Sequence, residues 1–558
     1  VSAQQRKQYL QRWAALRGER DSWLSHWREL AENIRPRGYR YLSSDRNRGD
    51  KKNDAIINGT PIRGMRVLTA GMMSSVTSPS RRWFQLTTSD RALSELASVK
   101  EYLAQVADEI SRAISKSNLY KALHHVYLDL VPFGTSCLLI EEDAEDGIRG
   151  YVFPLGSYCL ANSSRMAVNT LYREATLTVG QLVEQFGLEA CSLSVQNLHR
   201  DGRLDTAVKV MHVIEPNAAY SPGKLGPRGK AFSSCWFEVD SADEVGLLRE
   251  SGYEEQPFIA PRWQTTADDV YGASCPGMEA LGDCKALQES EREKAKAIDK
   301  VVTPPMQGPS SLAGELVSLL PGGFTAVDGT TPQHTLRPSV EVHPSAVATI
   351  GQEIRELENR IMALFYADLW LGITRADETM TATEVNARRE EQLMQLGPVN
   401  ENLQNEMLDP LIERVFAILQ RQGRLPMPPE ELQGAPIKVE YISVMAQAQK
   451  LVGVASIERL VAFVANAAAL HPGLATVLDK VDFDQAADEL ASAFGTPPGV
   501  IRPDDVVEKI RSQRAAQQQQ AQQMAAAQQA AETAQTLSAT DTEGDNALTG
   551  LLKRTGVA

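Results

Sequence analysis

At 558 residues, 43% of them hydrophobic, the chain can bury several cores, and its length suggests about three or four structural units. Its longest apolar region, residues 460–474, carries Asn466 and His471 and is too short for a bilayer, which excludes a membrane-spanning segment. The net charge of -14 is uneven: residues 1–82 hold 17 Lys or Arg against 7 Asp or Glu, leaving 40 against 64 for the rest.

A protein that grips duplex DNA along its surface neutralises phosphates with cations. An acidic body excludes that mode, so DNA, if involved, passes by. Cys137, Cys159, Cys191, Cys235, Cys275 and Cys284 form no C-x-x-C pair, which argues against a zinc ribbon or a disulfide scaffold and for buried free thiols. Residues 1–9 lack the apolar core of a secretory signal, so a cytoplasmic chain is expected.

In chain order, residues 10–34 place Trp13, Leu16, Trp23, Leu24, Trp27, Leu30 and Ile34 at helical spacing, a pattern that stops at Arg35-Pro36. A basic loop follows with Arg35, Arg37, Arg40, Arg46, Arg48, Lys51 and Lys52. Two readings are open for it: a solvated loop, or a contact with DNA, scaffold or shell protein. Residues 59–76 predict a helix whose small side chains permit close contact, and residues 96–117 predict another. Residues 135–140 read as a buried strand. Residues 151–160, 170–175, 208–214, 235–239 and 257–263 are short, rich in β-branched and aromatic side chains, and bounded by turn residues. They imply an α+β domain with a mainly antiparallel sheet inside a predominantly helical chain.

Residues 275–397 are the most telling. A first helical rod runs from Cys275 through Lys300 and is broken by Thr303-Pro304-Pro305. After Leu287 it is polar on every side, through Glu289, Glu291, Arg292, Glu293, Lys294, Lys296, Asp299 and Lys300. Such a helix bridges solvent or trades charges with identical neighbours. Residues 301–342 then hold six prolines and five glycines, too broken for a helix. A second rod opens at Pro344 and repeats Val347, Ile350, Ile354, Leu357, Ile361 and Leu364 at spacings of three and four, a seam for another helix. Continued to Leu369 it would run roughly 37 Å. A rod pair of that length needs neighbours.

Residues 372–380 contain Thr374, Arg375, Asp377, Glu378 and Thr379 without apolar periodicity and predict a loop. Thr381 and Glu384 stand at capping-box spacing. The helix they open runs toward Gln422 with Leu393, Leu396, Leu403, Met407, Leu411 and Val415 on its buried side, and Pro398 and Pro410 should bend or break it. Residues 446–511 form a further helical cluster. Residues 513–535 are almost wholly Ala and Gln, either a helix that stacks with copies of itself or a disordered segment, and residues 537–558 are a loose tail.

Several pieces, taken in order, carry a resemblance. They are Leu171-Tyr-Arg-Glu-Ala-Thr-Leu-Thr before Gln181-Leu-Val-Glu-Gln-Phe-Gly187, then Pro261-Arg-Trp263 with Tyr271-Gly272 and Pro276-Gly-Met-Glu-Ala-Leu281. Met380-Thr-Ala-Thr-Glu-Val385 with Arg388 and Glu391 follows, and finally Val481-Asp-Phe-Asp with Gly495-Thr-Pro-Pro498. With the two rods and the insert between them, they make the chain resemble the portal, or head-to-tail connector, family of short-tailed double-stranded DNA phages across nearly its whole length. The resemblance implies a closed ring of twelve subunits at one capsid vertex of the virion, assembled in the bacterial cytoplasm. It implies a first wing portion in 1–270, stem helices in 271–300 and 344–370, a clip in 301–343 and a tunnel loop in 371–380. The second wing portion would be 381–445, the crown 446–512, a short barrel helix 513–535 and a tail 536–558. Implied partners are double-stranded DNA in the channel, terminase at the clip, tail adaptor proteins, and scaffold and major capsid protein. No cofactor, metal or membrane is implied.

A ring repeats every side chain, so Glu353, Glu356, Glu358, Asp377 and Glu378 would become circles of negative charge if they face the lumen. Like charge on wall and DNA suppresses sticking, while a cation such as Arg375 makes weak, transient phosphate contacts. Catalytic readings find little support. Gly223-Lys-Leu-Gly-Pro-Arg-Gly-Lys-Ala231 lacks the Walker spacing, and Ala231 stands where Ser or Thr would hold magnesium. His124-His125 point about 100° apart on a helix, a poor chelating pair. Asp268-Asp269 and Asp504-Asp505 could seed a metal-dependent nuclease, though the latter suits a helix N-terminus. The two other classes are thus a metal-dependent nucleic-acid enzyme and a scaffold or filament protein built by helical association.

Overall fold

The computed structural model describes residues 3–38, 53–90, 93, 96–241, 247–266, 268–307, 337–339, 343–371, 396–432, 437–441, 457, 459–466, 480–494, 502 and 504–538. Helix α1 (Ala3–Asn33) serves two cores. Tyr9, Leu10, Trp13 and Leu16 cover one face of a sheet, whereas Trp27, Leu30 and Ile34 are fully buried in the main core. Helix α2 (Thr60–Ser75) begins with Pro61 in its first turn, where a missing N–H goes unnoticed. Strand β1 (Phe84–Thr88), α3 (Ala97–Lys116) and α4 (Leu119–Phe133) follow. Helix α4 stops at Gly134, which takes the left-handed conformation at φ 73° that a side chain would resist.

Strands β2 (Leu138–Asp143) and β3 (Gly147–Val152) form a hairpin. The apolar run at 151–160 divides: β3 ends at Val152, a turn closes with Ser157 N–H on the Pro154 carbonyl at 3.1 Å, and β4 (Tyr158–Asn162) begins a different sheet. That sheet continues through β5 (Val168–Thr178), then α5 (Val179–Phe186) and α6 (Leu193–Arg200), then β6 (Ala207–Pro216), β7 (Phe232–Glu238) and β8 (Leu247–Tyr253). Its five strands lie in the order β4-β5-β6-β7-β8, each antiparallel to the next. Alternation along β6 sends Met211 and Val213 toward α1 and Val210 toward α5 and α6, so both faces are covered. Strand β9 (Phe258–Ile259) returns to pair with β2 and completes the order β3-β2-β9.

Helix α7 (Pro276–Val302) leads to a short antiparallel pair, β10 (Met306–Gln307) with β11 (Arg337–Pro338). Helix α8 (Pro344–Leu364) then runs back beside α7. It is shorter than expected. The chain turns at Phe365 and Tyr366, the latter at φ 50°, before the short α9 (Ala367–Leu371).

Helices α10 (Gly397–Leu403) and α11 (Asp409–Arg421) are joined by one π-helical turn, Gln404–Leu408. Pro398 stands where the described helix begins, and Pro410 is accommodated by a local widening rather than a break. Ahead of Pro410 the Asp409 N–H reaches the Gln404 carbonyl five residues back. That widened turn absorbs the missing donor. Leu396, Leu403, Met407, Leu411 and Val415 are buried as the spacing required; Leu393, Thr381 and Glu384 lie outside the described residues. Strand β12 (Ile437–Tyr441) pairs with β1, tying the second helical portion to the first. Helices α12 (Phe483–Phe494) and α13 (Asp504–Ser538) are joined by Arg511 on Asp484 at 2.6 and 2.8 Å. The Ala/Gln stretch lies within α13, with residues 511–529 exposed.

Candidate functional site

The two rods are the central feature. At 27 and 21 residues, α7 and α8 would measure roughly 40 and 31 Å. Where they join the main core the seam is tight: Ala280, Leu281, Cys284 and Leu287 on α7 and Ile354, Leu357 and Ile361 on α8 are buried. Val347, Ile350 and Leu364, the other members of the predicted seam, are half-buried. Beyond Leu287 the pair leaves the core. Ile298, Val301, Val302 and Met306 are 42%, 43%, 72% and 40% exposed, an apolar strip at its far end with no covering group among the described residues.

A polar clasp holds the base of the rods. Buried Gln288 accepts the N–H groups of Ile57 and Asn58 at 2.7 and 2.9 Å and donates to the Asn58 carbonyl at 2.9 Å. The Asn58 amide donates to Glu291 of α7 at 2.9 Å and to Glu358 of α8 at 2.8 Å, so one side chain bridges both rods. Glu358 is therefore half-buried and engaged within its own protomer, whereas Glu353 and Glu356 are exposed. Arg360, further along α8, pairs with Asp283 of α7 at 3.0 Å.

Glycine decides how closely α2 meets the end of the second rod. Helix α2 packs on both α8 and α9. A Cβ built on Gly71 would lie 2.2 Å from Cδ2 of Trp370, so only a residue without one fits there.

The predicted tunnel-loop residues Thr374, Arg375, Asp377, Glu378 and Thr379 lie outside the described residues, as do Arg40, Arg46, Arg48, Lys51 and Lys52 of the basic loop. Arg35 and Arg37 are described. Arg35 pairs with Asp129, and burial pulls its guanidinium down to about 10. The glycine-rich segment 223–231 is an exposed turn that ends in a 3-10 helix at Pro227–Gly229. Among the described residues no three His, Cys, Asp or Glu converge on one point as metal ligands. All six cysteines are buried and unpaired, and burial pushes the Cys235, Cys275 and Cys284 thiols up to about 12.

Two charge hubs escaped the sequence pattern. Arg262, 4% exposed, meets Glu406 through its backbone N–H at 2.9 Å and its Nε at 3.1 Å, and also donates to the Asp269 and Met166 carbonyls. It thereby anchors the π turn of the second helical portion to the sheet region. Arg414, 2% exposed, donates to the Ile140 carbonyl at 3.2 Å and pairs with Glu255. A cation on the apolar face between Leu411 and Val415 was the only local signal of it.

The chain matches the family described as "Bacteriophage head to tail connecting protein" over residues 6–501. It is 42% identical over 553 residues to a "Portal protein" of Salmonella phage epsilon15, covering 99% of each chain. It is 43% identical over 550 residues to a "Probable portal protein" of Bordetella phage BPP-1, covering 98% of each. A solved structure described as "Neck of empty GTA particle computed with C6 symmetry" aligns at 13% identity and a TM-score of 0.31, covering 76% of this chain and 90% of that one, too low to carry an argument. With a family match across most of its length and two relatives above 40% identity, the chain belongs to the bacteriophage head to tail connecting protein family.

Proposed function

We infer that this chain is the protomer of a phage portal, a closed dodecameric ring at one capsid vertex through which double-stranded DNA is packaged and later ejected. Family membership supports the role, and one observation carries the assembly: a rod pair whose far end exposes Ile298, Val301, Val302 and Met306. Apolar surface of that kind gains about 25 cal/mol for each Å² removed from water. Identical rods side by side would remove it in every subunit at once. In that ring α7 and α8 are the stem, residues 301–343 the clip that receives terminase and then tail adaptor proteins, and residues 371–380 the tunnel loop.

Exposed Glu353 and Glu356 stand three residues apart on one face of α8. Repeated around a lumen they form negative rings that repel phosphate, so DNA slides with little adhesion. The loop residues Asp377 and Glu378 add to that field, and Arg375 touches phosphates transiently. Arg35 is held inside the protomer by Asp129, and the remaining cations of the basic loop, if they are not simply solvated, would contact DNA, scaffold or shell protein.

Negative-stain images of the purified chain test the assembly: closed annuli with an open centre are expected, and solitary monomers or open polymers would refute it. Changing Asp377 and Glu378 together to Lys should slow DNA packaging or exit in a packaging assay. Unchanged transit would remove the tunnel-loop role.

A further inference from the structure

A cavity of about 480 Å³ opens between the Arg35–Gly38 turn, the first half of α4 and strand β3. Arg35, Arg37 and Gly38 of its lining come from the basic N-terminal region and the rest from residues 118–154. Its wall carries Arg35, Arg37, Lys121, Arg149 and His125 against one carboxylate, Asp129, which is already paired with Arg35. Arg37 and Lys121 are exposed, and neither makes an ion pair with a described residue. Burial lowers the His125 pKa, and the charges of Arg35 and Lys121 lower it further, so the ring is neutral at pH 7. The net charge around the opening is therefore positive. Between the cations the lining is apolar, from Ala122, Val152 and Pro154. β3 is an edge strand, yet its Gly150 N–H and carbonyl are both taken by the Asn118 side chain at 2.8 Å, so an added strand finds no partner there.

The size suits a few side chains, since pockets for small ligands occupy roughly 300–1,000 Å³. Duplex DNA fits poorly. The β2–β3 hairpin, which supplies Arg149 and Gly150 to the lining, also carries Glu141, Asp143, Glu145 and Asp146 besides Glu142, which is paired with Arg421, and Asp143 is close enough to Arg149 to feel its charge. A duplex bears one negative charge per about 1.7 Å of axis. Laid over the mouth it would bring that charge against the hairpin within a Debye length of about 8 Å. A short segment with one or two carboxylates can enter between the cations without crossing the hairpin.

We propose that this cavity docks a short acidic and apolar polypeptide segment of a partner protein, whose carboxylates pair with Arg37 and Lys121 while its apolar groups lie on Ala122, Val152 and Pro154. The site belongs to one protomer and does not depend on the portal assignment.

The test is fluorescence anisotropy of a labelled peptide of alternating glutamate and alanine, titrated with the full-length protein at two salt concentrations. Saturable, salt-sensitive binding is expected. It should weaken about tenfold in the double variant Arg37→Glu, Lys121→Glu, and should be unchanged by Arg228→Glu on the separate β6–β7 loop. Absence of saturable binding, equal weakening by Arg228→Glu, or tighter binding of a duplex oligonucleotide to the same cavity would each overturn the proposal.

Discussion

Replacing Gly71 by Ala gives the sharpest test of how the second rod is anchored. The new Cβ would sit 2.2 and 2.3 Å from Cδ2 and Cε2 of Trp370. Unstrained carbon contacts lie at about 3.5–4 Å, so the overlap exceeds an ångström. An indole is rigid and cannot retreat by bending its far end, and forced repacking of this kind costs about 1–3 kcal/mol. Against this, Ala is favoured over Gly within a helix by about 1 kcal/mol. The net is a destabilisation of about 1 kcal/mol, or about 1 °C in Tm for a chain of this size. In a Trp370→Ala background the clash is gone and only the helix preference remains, so the same substitution should stabilise. Differential scanning fluorimetry of the four proteins at one scan rate reads the reversal of sign. If Gly71→Ala raises Tm with Trp370 present, the close approach of α2 to this tryptophan is wrong.

Glu406→Gln leaves the Arg262 guanidinium without its countercharge in a site where Arg262 is 4% exposed. Breaking a buried pair costs about 3–5 kcal/mol, and because Glu406 keeps some contact with solvent the loss should fall near the lower figure in urea unfolding; a loss below about 1 kcal/mol would mean the hub is not structural. His212 is fully buried, hydrogen-bonded to Ser234 at 3.0 Å and stacked on Trp236 at 3.9 Å. Burial, reinforced by Arg173 and Arg249, holds its pKa well below the ordinary 6.5. The unfolded chain therefore takes up a proton near pH 6.5 that the folded chain refuses, and this contribution to stability is lost as pH falls below 6.5. His212→Phe keeps the stack and removes the titration, so its stability should decline less between pH 6.5 and 5 than that of the parent. Parallel curves would refute this.

Much of the fold was legible. The rods and the buried faces of α1 and α10–α11 follow from spacings of three and four, because a helix that must bury one stripe repeats its apolar residues at that period. The five-stranded sheet was legible through β5, β6 and β7, which are buried and rich in β-branched and aromatic residues. Strands β1, β8 and β12 were not. β8 reads Leu-Leu-Arg-Glu-Ser-Gly-Tyr, with little alternation, and it is an edge strand whose place is decided by pairing with β7. β1 and β12 are five residues each, and they find each other across more than 340 positions of chain, a distance no local pattern records.

The sequence alone determined the class of structure, the two projecting helices and the charge contrast between the N-terminal region and the rest, since these depend on residue type and period. Tertiary structure decided which polar side chains act. Glu353, Glu356 and Glu358 are equivalent in sequence, yet only Glu358 meets Asn58 and joins the clasp. Nothing local names the partners of Arg262 and Arg414, which folding buries beside Glu406 and Glu255. The physical reason is range. Helical and strand periods are set by neighbours a few residues away, whereas a hydrogen bond or ion pair in the core depends on groups that only the complete packing brings together.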